Sequence, residues 1–269
     1  MTAVAESLRL NLTPPVRYVL RWADACLIHA QRLSEWCGHG PVLEEDIALT
    51  NMALDLIGQA RGLLTLAGQL EGQRFDEDQL AFLREEGDFL NPTLVELPMR
   101  RSSAHSPGGD FADTVVRNLL LATWLKQAWQ RMASSSDAEL AAIAAKALKE
   151  ARYHQQHAAD WVIRLGDGTD ESHARMERAL ARAWPYTAEL FAGDTVDEAA
   201  AAAGLGPSRA ALRDDWLREI DAVLAGATLA RPADTPFVST GTQGVHSEHM
   251  GFILAEMQSL QRRYPGGTW

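Results

Sequence analysis

The sequence predicts an all-α fold, a four-helix bundle with additional C-terminal helices, on three observations. Apolar residues recur at spacings of three and four through four long segments. Almost no segment alternates with period two, the mark of a half-buried strand. Clusters of Gly, Pro and Ser punctuate the chain where helices would have to stop. No fixed-period repeat or low-complexity linker divides it, so residues 16–269 are expected to form a single domain behind a flexible tail of residues 1–15.

The tail closes on Thr13-Pro14-Pro15. From Val16 to about Cys37, Leu20, Leu27 and Ile28 share a helix face that Asp24 and Gln31 interrupt, and Gly38-His39-Gly40-Pro41 stops the helix. A second helix, about Glu44 to Ala67, opens with acidic residues where the macrodipole favours them. Its apolar face includes Ala48, Met52, Leu63, Leu66 and Leu70. Asn51, Asp55 and Gln59, spaced by four, form a polar ladder on that face, and buried polar groups demand partners.

Asp76 to Glu86 predicts a shorter helix, and Asn91 to Gly109 an irregular loop. Asp110 is placed to cap the third long helix, Phe111 to Met132, with Phe111, Val115, Ala122, Leu125 and Trp129 on one side. Asn118 is the central polar group of that side; Asp113, the helix's single carboxylate, is expected to point away. Ser136 or Asp137 caps the fourth helix, which runs to about Leu165. There Ile143, Ala147, Glu150, His154, Trp161 and Leu165 fall on one arc expected to be buried. Further helices are predicted over Glu171–Phe191, kinked at Pro185, over Val196–Ala203, Ser208–Ala225 and His246–Arg263.

Composition narrows the function classes. A formal charge of −11 argues against a phosphate-backbone binder, which relies on clustered Lys and Arg. With 46% apolar residues and no apolar run of about twenty, neither disorder nor a membrane span is indicated. No secretory signal is recognisable, and a cytoplasmic protein is expected. Cys26 and Cys37, both read as helical, would stand about 16 Å apart, too far for a disulfide, as suits a reducing compartment.

Lys149-Glu-Ala-Arg-Tyr-His-Gln-Gln-His almost forms a metal motif. Di-iron carboxylate bundles use Glu-x-x-His on each of two helices, because residues three apart converge on the same ions. Here Ala151 stands three before His154, and the glutamate is one place early, at Glu150. The residues three before the eight histidines are Cys26, Trp36, Ser102, Ala151, His154, Asp170, Gln243 and His246, and none is glutamate. The helices offer Asp24 on the first, Asp55 with Gly58 in a histidine's place on the second, nothing on the third, and Glu150 with His154 on the fourth. That falls well short of a di-iron ligand set. Glu150 and His154 are therefore expected to be a hydrogen-bonded pair in a polar core network with Asp55, Gln59 and Asn118.

His157 is expected at an edge or subunit contact. His246 and His249 lack both the order of a helical zinc motif and a third ligand. They predict a helix start near Ser247 and a place at an interface. No nucleophile elbow, dinucleotide fingerprint or Walker lysine is present.

A family pattern runs through the same residues. Its stretches are Arg32-Leu-Ser-Glu-Trp-Cys-Gly-His-Gly, Ala53-Leu-Asp-Leu-Ile-Gly-Gln-Ala-Arg, Phe111-Ala-Asp-Thr, Lys149-Glu-Ala-Arg-Tyr-His, Arg164-Leu-Gly-Asp-Gly-Thr-Asp, His246-Ser-Glu-His-Met-Gly and Leu254-Ala-Glu-Met-Gln. Spread from Arg17 to Trp269, they resemble the C subunits of bacterial ring 1,2-phenylacetyl-CoA epoxidases, which act in phenylacetate degradation. The resemblance implies a ferritin-like, non-catalytic subunit with no cofactor of its own. It also implies a partner A subunit that holds the di-iron centre and inserts oxygen, and a separate reductase with flavin and iron–sulfur groups that delivers electrons from NADPH. In that pattern Ala151 replaces the fourth-helix glutamate and Gly58 the second-helix histidine. A homo- or hetero-oligomer without nucleic acid or membrane is expected. The competing reading is an independent di-iron or single-metal oxidase using a reduced set of Asp24, Asp55, Glu150 and His154.

Overall fold

Local signals set the helix ends in the computed structural model, which describes residues 6–72, 74–98 and 109–267. Pro14 and Pro15 occupy the first turn of α1 (Pro14–Ser34), where their missing N–H groups would have had no intrahelical acceptor. The helix thus starts inside the expected tail and ends before Cys37, which is exposed in the following turn. α2 (Leu43–Glu71) stops at Gly72, whose φ of 116° lies where side chains are strained. Asp76 caps α3 (Glu77–Phe82), and 3₁₀ turns at Glu86–Asp88 and Thr93–Val95 follow. Asp110 accepts hydrogen bonds from the Ala112 and Asp113 amides at the start of α4 (Phe111–Met132). Asp137, not Ser136, caps α5 (Ala138–Gly166).

α6 (Asp170–Ala183) ends just before Pro185, and the chain tightens into a 3₁₀ helix over Trp184–Phe191 in place of the kinked α-helix that the sequence predicts. α7 (Thr195–Ala202) and α8 (Arg213–Gly226) follow. The last expected helix divides at Gln258 into α9 (Glu248–Met257) and α10 (Ser259–Arg263). Among the described residues there is no strand, and no helix is long and apolar enough to cross a membrane.

α1 packs on α2, α4 on α5, and α2 against α5, which makes the ferritin-like four-helix bundle. α6 and α8 lie on α4 and α5, and α7 and α9 on α1. Trp22 of α1 stacks on Trp124 of α4 with ring centroids 4.4 Å apart, and Trp129 tilts against it. α4 is enclosed on nearly every side. Asp113, expected to point outward, is consequently buried and ion-paired with Arg182 of α6.

The N-terminal stretch is fastened rather than loose. The Leu8 amide bonds to the Leu83 carbonyl at 3.1 Å, and the Asn11 amide to Glu71 at 3.0 Å, while Leu8, Leu10 and Leu12 pack on the core. Residues 1–5 of the expected tail and 99–108 of the expected loop lie outside the described residues.

Candidate functional site

The buried stripe of α5 consists of Leu140, Ala144, Ala147, Ala151, His154, Ala158 and Val162. Steps of three and four keep such a row on one face, and its alanines allow close approach of neighbouring helices. The arc inferred from sequence is therefore off centre. Ile143, Glu150, Trp161 and Leu165 form a half-buried flank, and Ala151 is in the core at 1% exposure. The position where a metal motif needs glutamate points inward and carries a methyl group; the glutamate itself sits at the edge.

The polar ladder of α2 crosses from solvent to core. Steps of four residues advance about 40° around the helix, so Asn51 is exposed, Asp55 half-buried and Gln59 buried. Two bonds tie this ladder to α5. His154 donates from Nε2 to Asp55 Oδ2 at 3.0 Å, and Gln59 donates from Nε2 to Glu150 Oε2 at 3.0 Å. Cys26 of α1 donates its thiol to Gln59 Oε1 at 3.6 Å, and Lys146 approaches Glu150 from outside at 3.8 Å. Glu150 and His154 are thus not bonded to each other; each takes its own partner on α2. His157, further along α5, donates to Glu45 Oε2 at 2.9 Å and makes another bridge to α2.

Asp24 and Asn118 do not belong to these bridges. The Asp24 carboxylate is fully buried, takes a two-pronged contact from the equally buried Arg84 guanidinium, and accepts the Leu90 amide at 2.9 Å. Phe89 lies beneath that guanidinium at 4.1 Å. Asn118 instead lines a cavity of about 10 Å³ with His29, Met52, Leu56 and His154, a volume on the scale of one water. His29 Nδ1 and both polar atoms of the Asn118 amide have no protein partner there.

Burial dominates the electrostatics of this core. It pushes His29 down to about 3, with the Arg117 charge adding to the effect. Burial also holds His154 below the ordinary histidine range, against the pull of Asp55 and Glu150. The Cys26 thiol is pushed upward by burial and by Glu150 and Asp24, so it stays protonated and unreactive. The centre of the bundle is therefore a set of neutral imidazoles and a thiol.

These residues do not fit a di-iron centre. Asp24 is neutralised by Arg84, position 151 is alanine, and Gly58 is exposed, with open space where a side chain would begin. Among the described residues no three His, Cys, Asp or Glu side chains gather as metal ligands would.

The His246 side chain, expected at an interface, is fully buried within this chain. One ring nitrogen faces Glu96 Oε1 and the other the Phe89 carbonyl at 2.9 Å, so both must donate. Burial works against the proton, but the Glu96 bond and charge and the Phe89 carbonyl outweigh it and raise the pKa. Ser247 stands at the N-cap of α9 but gives its hydroxyl to Glu96 instead of capping. His249 lies apart from His246, in a cavity beside Arg117, so the two histidines do not converge.

Sequence reasoning missed His29, Arg84, Glu96 and Arg117. Asp24 inside an apolar face signalled that a buried cation was needed, yet nothing local pointed to Arg84, sixty residues on.

Comparison with known proteins identifies relatives of this chain. The phenylacetic acid catabolic protein family matches residues 2–269. The chain is 46% identical over 252 residues to a protein of Escherichia coli (strain K12) named as the C subunit of 1,2-phenylacetyl-CoA epoxidase, covering 94% of this chain and 98% of the relative. A match of that extent and identity, on an all-α bundle carrying the motifs quoted above, shows that the chain belongs to the phenylacetic acid catabolic protein family.

Proposed function

We propose that this chain is a structural, non-catalytic subunit of a multicomponent phenylacetyl-CoA 1,2-epoxidase in aerobic phenylacetate catabolism. It pairs in the cytoplasm with a catalytic A subunit that holds the di-iron centre, and a reductase supplies NADPH-derived electrons. The name of the Escherichia coli relative supports the assignment to such an assembly. One observation carries the division of labour: the positions a di-iron bundle would use for ligands are given to packing. Alanine fills the core at 151, Gly58 is exposed, and Arg84 occupies the Asp24 carboxylate.

The outer face of α2 supports pairing. Leu43, Ile47 and Leu54 are 72%, 53% and 59% exposed and lie within about 40° of one another on the helix. Tyr153 on α5 is likewise exposed. An apolar row of this kind on an acidic chain is the usual mark of a protein partner.

Metal analysis of the purified chain and co-purification with the catalytic subunit test the proposal together. The expected result is substoichiometric iron in the isolated chain and a stable complex at moderate salt. Stoichiometric bound iron would return the reduced-ligand oxidase reading of Asp24, Asp55, Glu150 and His154.

A further inference from the structure

Of the buried arginines among the described residues, Arg21, Arg32, Arg84 and Arg209 each hold a carboxylate, and Arg117 holds none. Arg117 of α4 is 4% exposed and, among the described residues, donates to the backbone carbonyls of Leu97 and Pro98 alone, the latter at 3.1 Å. Its Nε has no partner. Burial, and secondly the charge of Arg32, push it down to about 9 against the pull of the more distant Asp113 and Glu35 carboxylates, so it remains a cation at neutral pH. A buried charge with only neutral partners is costly and ordinarily calls for a counter-charge.

The local candidates are already engaged: Asp113 with Arg182, Glu35 with Arg32, and Glu96 with His246. Residues 99–108 of the sequence add Arg100, Arg101 and His105 and no Asp or Glu.

Arg117 lines a cavity of about 220 Å³ between α4, α6 and the start of α9. Arg182, Asp113 and His249 supply its other polar groups, and Leu97, Ala183 and Tyr186 its apolar wall. His249 is held below the ordinary histidine range by burial and Arg32, which leaves a neutral ring able to donate one hydrogen bond. The volume is below the span usual for drug- or nucleotide-sized ligands. We propose that this cavity binds a small organic carboxylate, with its anionic end on Arg117, supported by Arg182, and a short apolar or aromatic tail against Leu97, Ala183 and Tyr186. Planar two-pronged recognition is what a guanidinium offers a carboxylate.

The test uses the purified full chain, with benzoate and butyrate as probes and inorganic phosphate and sodium chloride at matched ionic strength. Benzoate is expected to bind saturably by calorimetry and to raise Tm by about 3–6 °C at ten times its Kd, with phosphate and chloride inert. Arg117→Gln should abolish this shift, and Arg117→Lys, which keeps the charge but not the planar fork, should weaken binding about tenfold or more. Arg182→Ala, at the mouth, should weaken it severalfold. The proposal is overturned if benzoate matches chloride, if phosphate does as well as benzoate, or if folded Arg117→Lys binds benzoate like the wild type. A carboxylate supplied by a partner protein would show itself as the first of these outcomes.

Discussion

Asp24 and Arg84 form an ion pair with no access to water, so its worth lies in completeness rather than in attraction alone. Removing one partner strands the other. Arg84→Met should destabilise the chain by about 3–5 kcal/mol, and Asp24→Leu/Arg84→Met should regain a large part of that in denaturant unfolding. Glu150 differs because its side chain keeps 19% exposure and Gln59 is its main partner. Glu150→Ala should cost about 1 kcal/mol, measured the same way. The sequence places this carboxylate on the arc expected to be buried, where its loss would cost more, and only the helix register corrects this. His29 supplies a pH signature. Its folded pKa, about 3, lies below the unfolded value near 6.5, so the unfolded chain binds the extra proton between them. Its contribution is complete above about pH 6.5 and declines toward pH 3 by about 1.4 kcal/mol per unit. A His29→Gln chain should have a visibly flatter acid limb in Tm against pH; an unchanged limb would refute the assignment.

At the scale of elements, two buried carboxylates attach the C-terminal segment to the bundle. Glu189 accepts from the Thr93 amide at 2.9 Å, the Thr242 amide at 2.7 Å and the Ser239 hydroxyl at 2.6 Å. Glu96 accepts from Asn91, His246 and Ser247. These contacts substitute for regular structure in a stretch rich in Gly and Pro, where backbone groups need partners from elsewhere. His246 makes the attachment pH-sensitive. Its folded pKa is raised, so the stabilisation is full below the unfolded value near 6.5 and is lost as pH rises through the folded one. The Tm difference between wild type and His246→Gln should therefore be wide at pH 6 and narrow at pH 9, and amide exchange over residues 239–247 should quicken at the higher pH beyond the intrinsic rate.

For the whole molecule, the exposed row on α2 is one apolar feature that folding of this chain leaves outside the core. Leu54→Glu adds charge at a solvent-facing site, so its stability should stay within about 0.5 kcal/mol of wild type. On the proposed function, its yield in co-purification with the proposed catalytic subunit should fall sharply. Retained complex formation would place the partner on another face.

The bundle was legible in the sequence because helical periodicity, caps and breakers are local: Asp110, Asp137 and Gly72 lie beside the turns they shape. The absence of Glu-x-x-His was equally plain, since it is a matter of residue order. Which polar groups meet was not, because partners are set by helix register and by chain segments far apart. Asp55 and Gln59 are grouped with Glu150 and His154 by sequence, but which of them pair, and that Asp24 finds Arg84 and Glu96 finds His246, is fixed only once the chain has packed. A turn of about 50° around the helix, half of one residue's step, puts Glu150 at the rim and Ala151 at the centre. Periodicity locates a face to within one such step, and only side chains interlocking across the α2–α5 seam choose between neighbours.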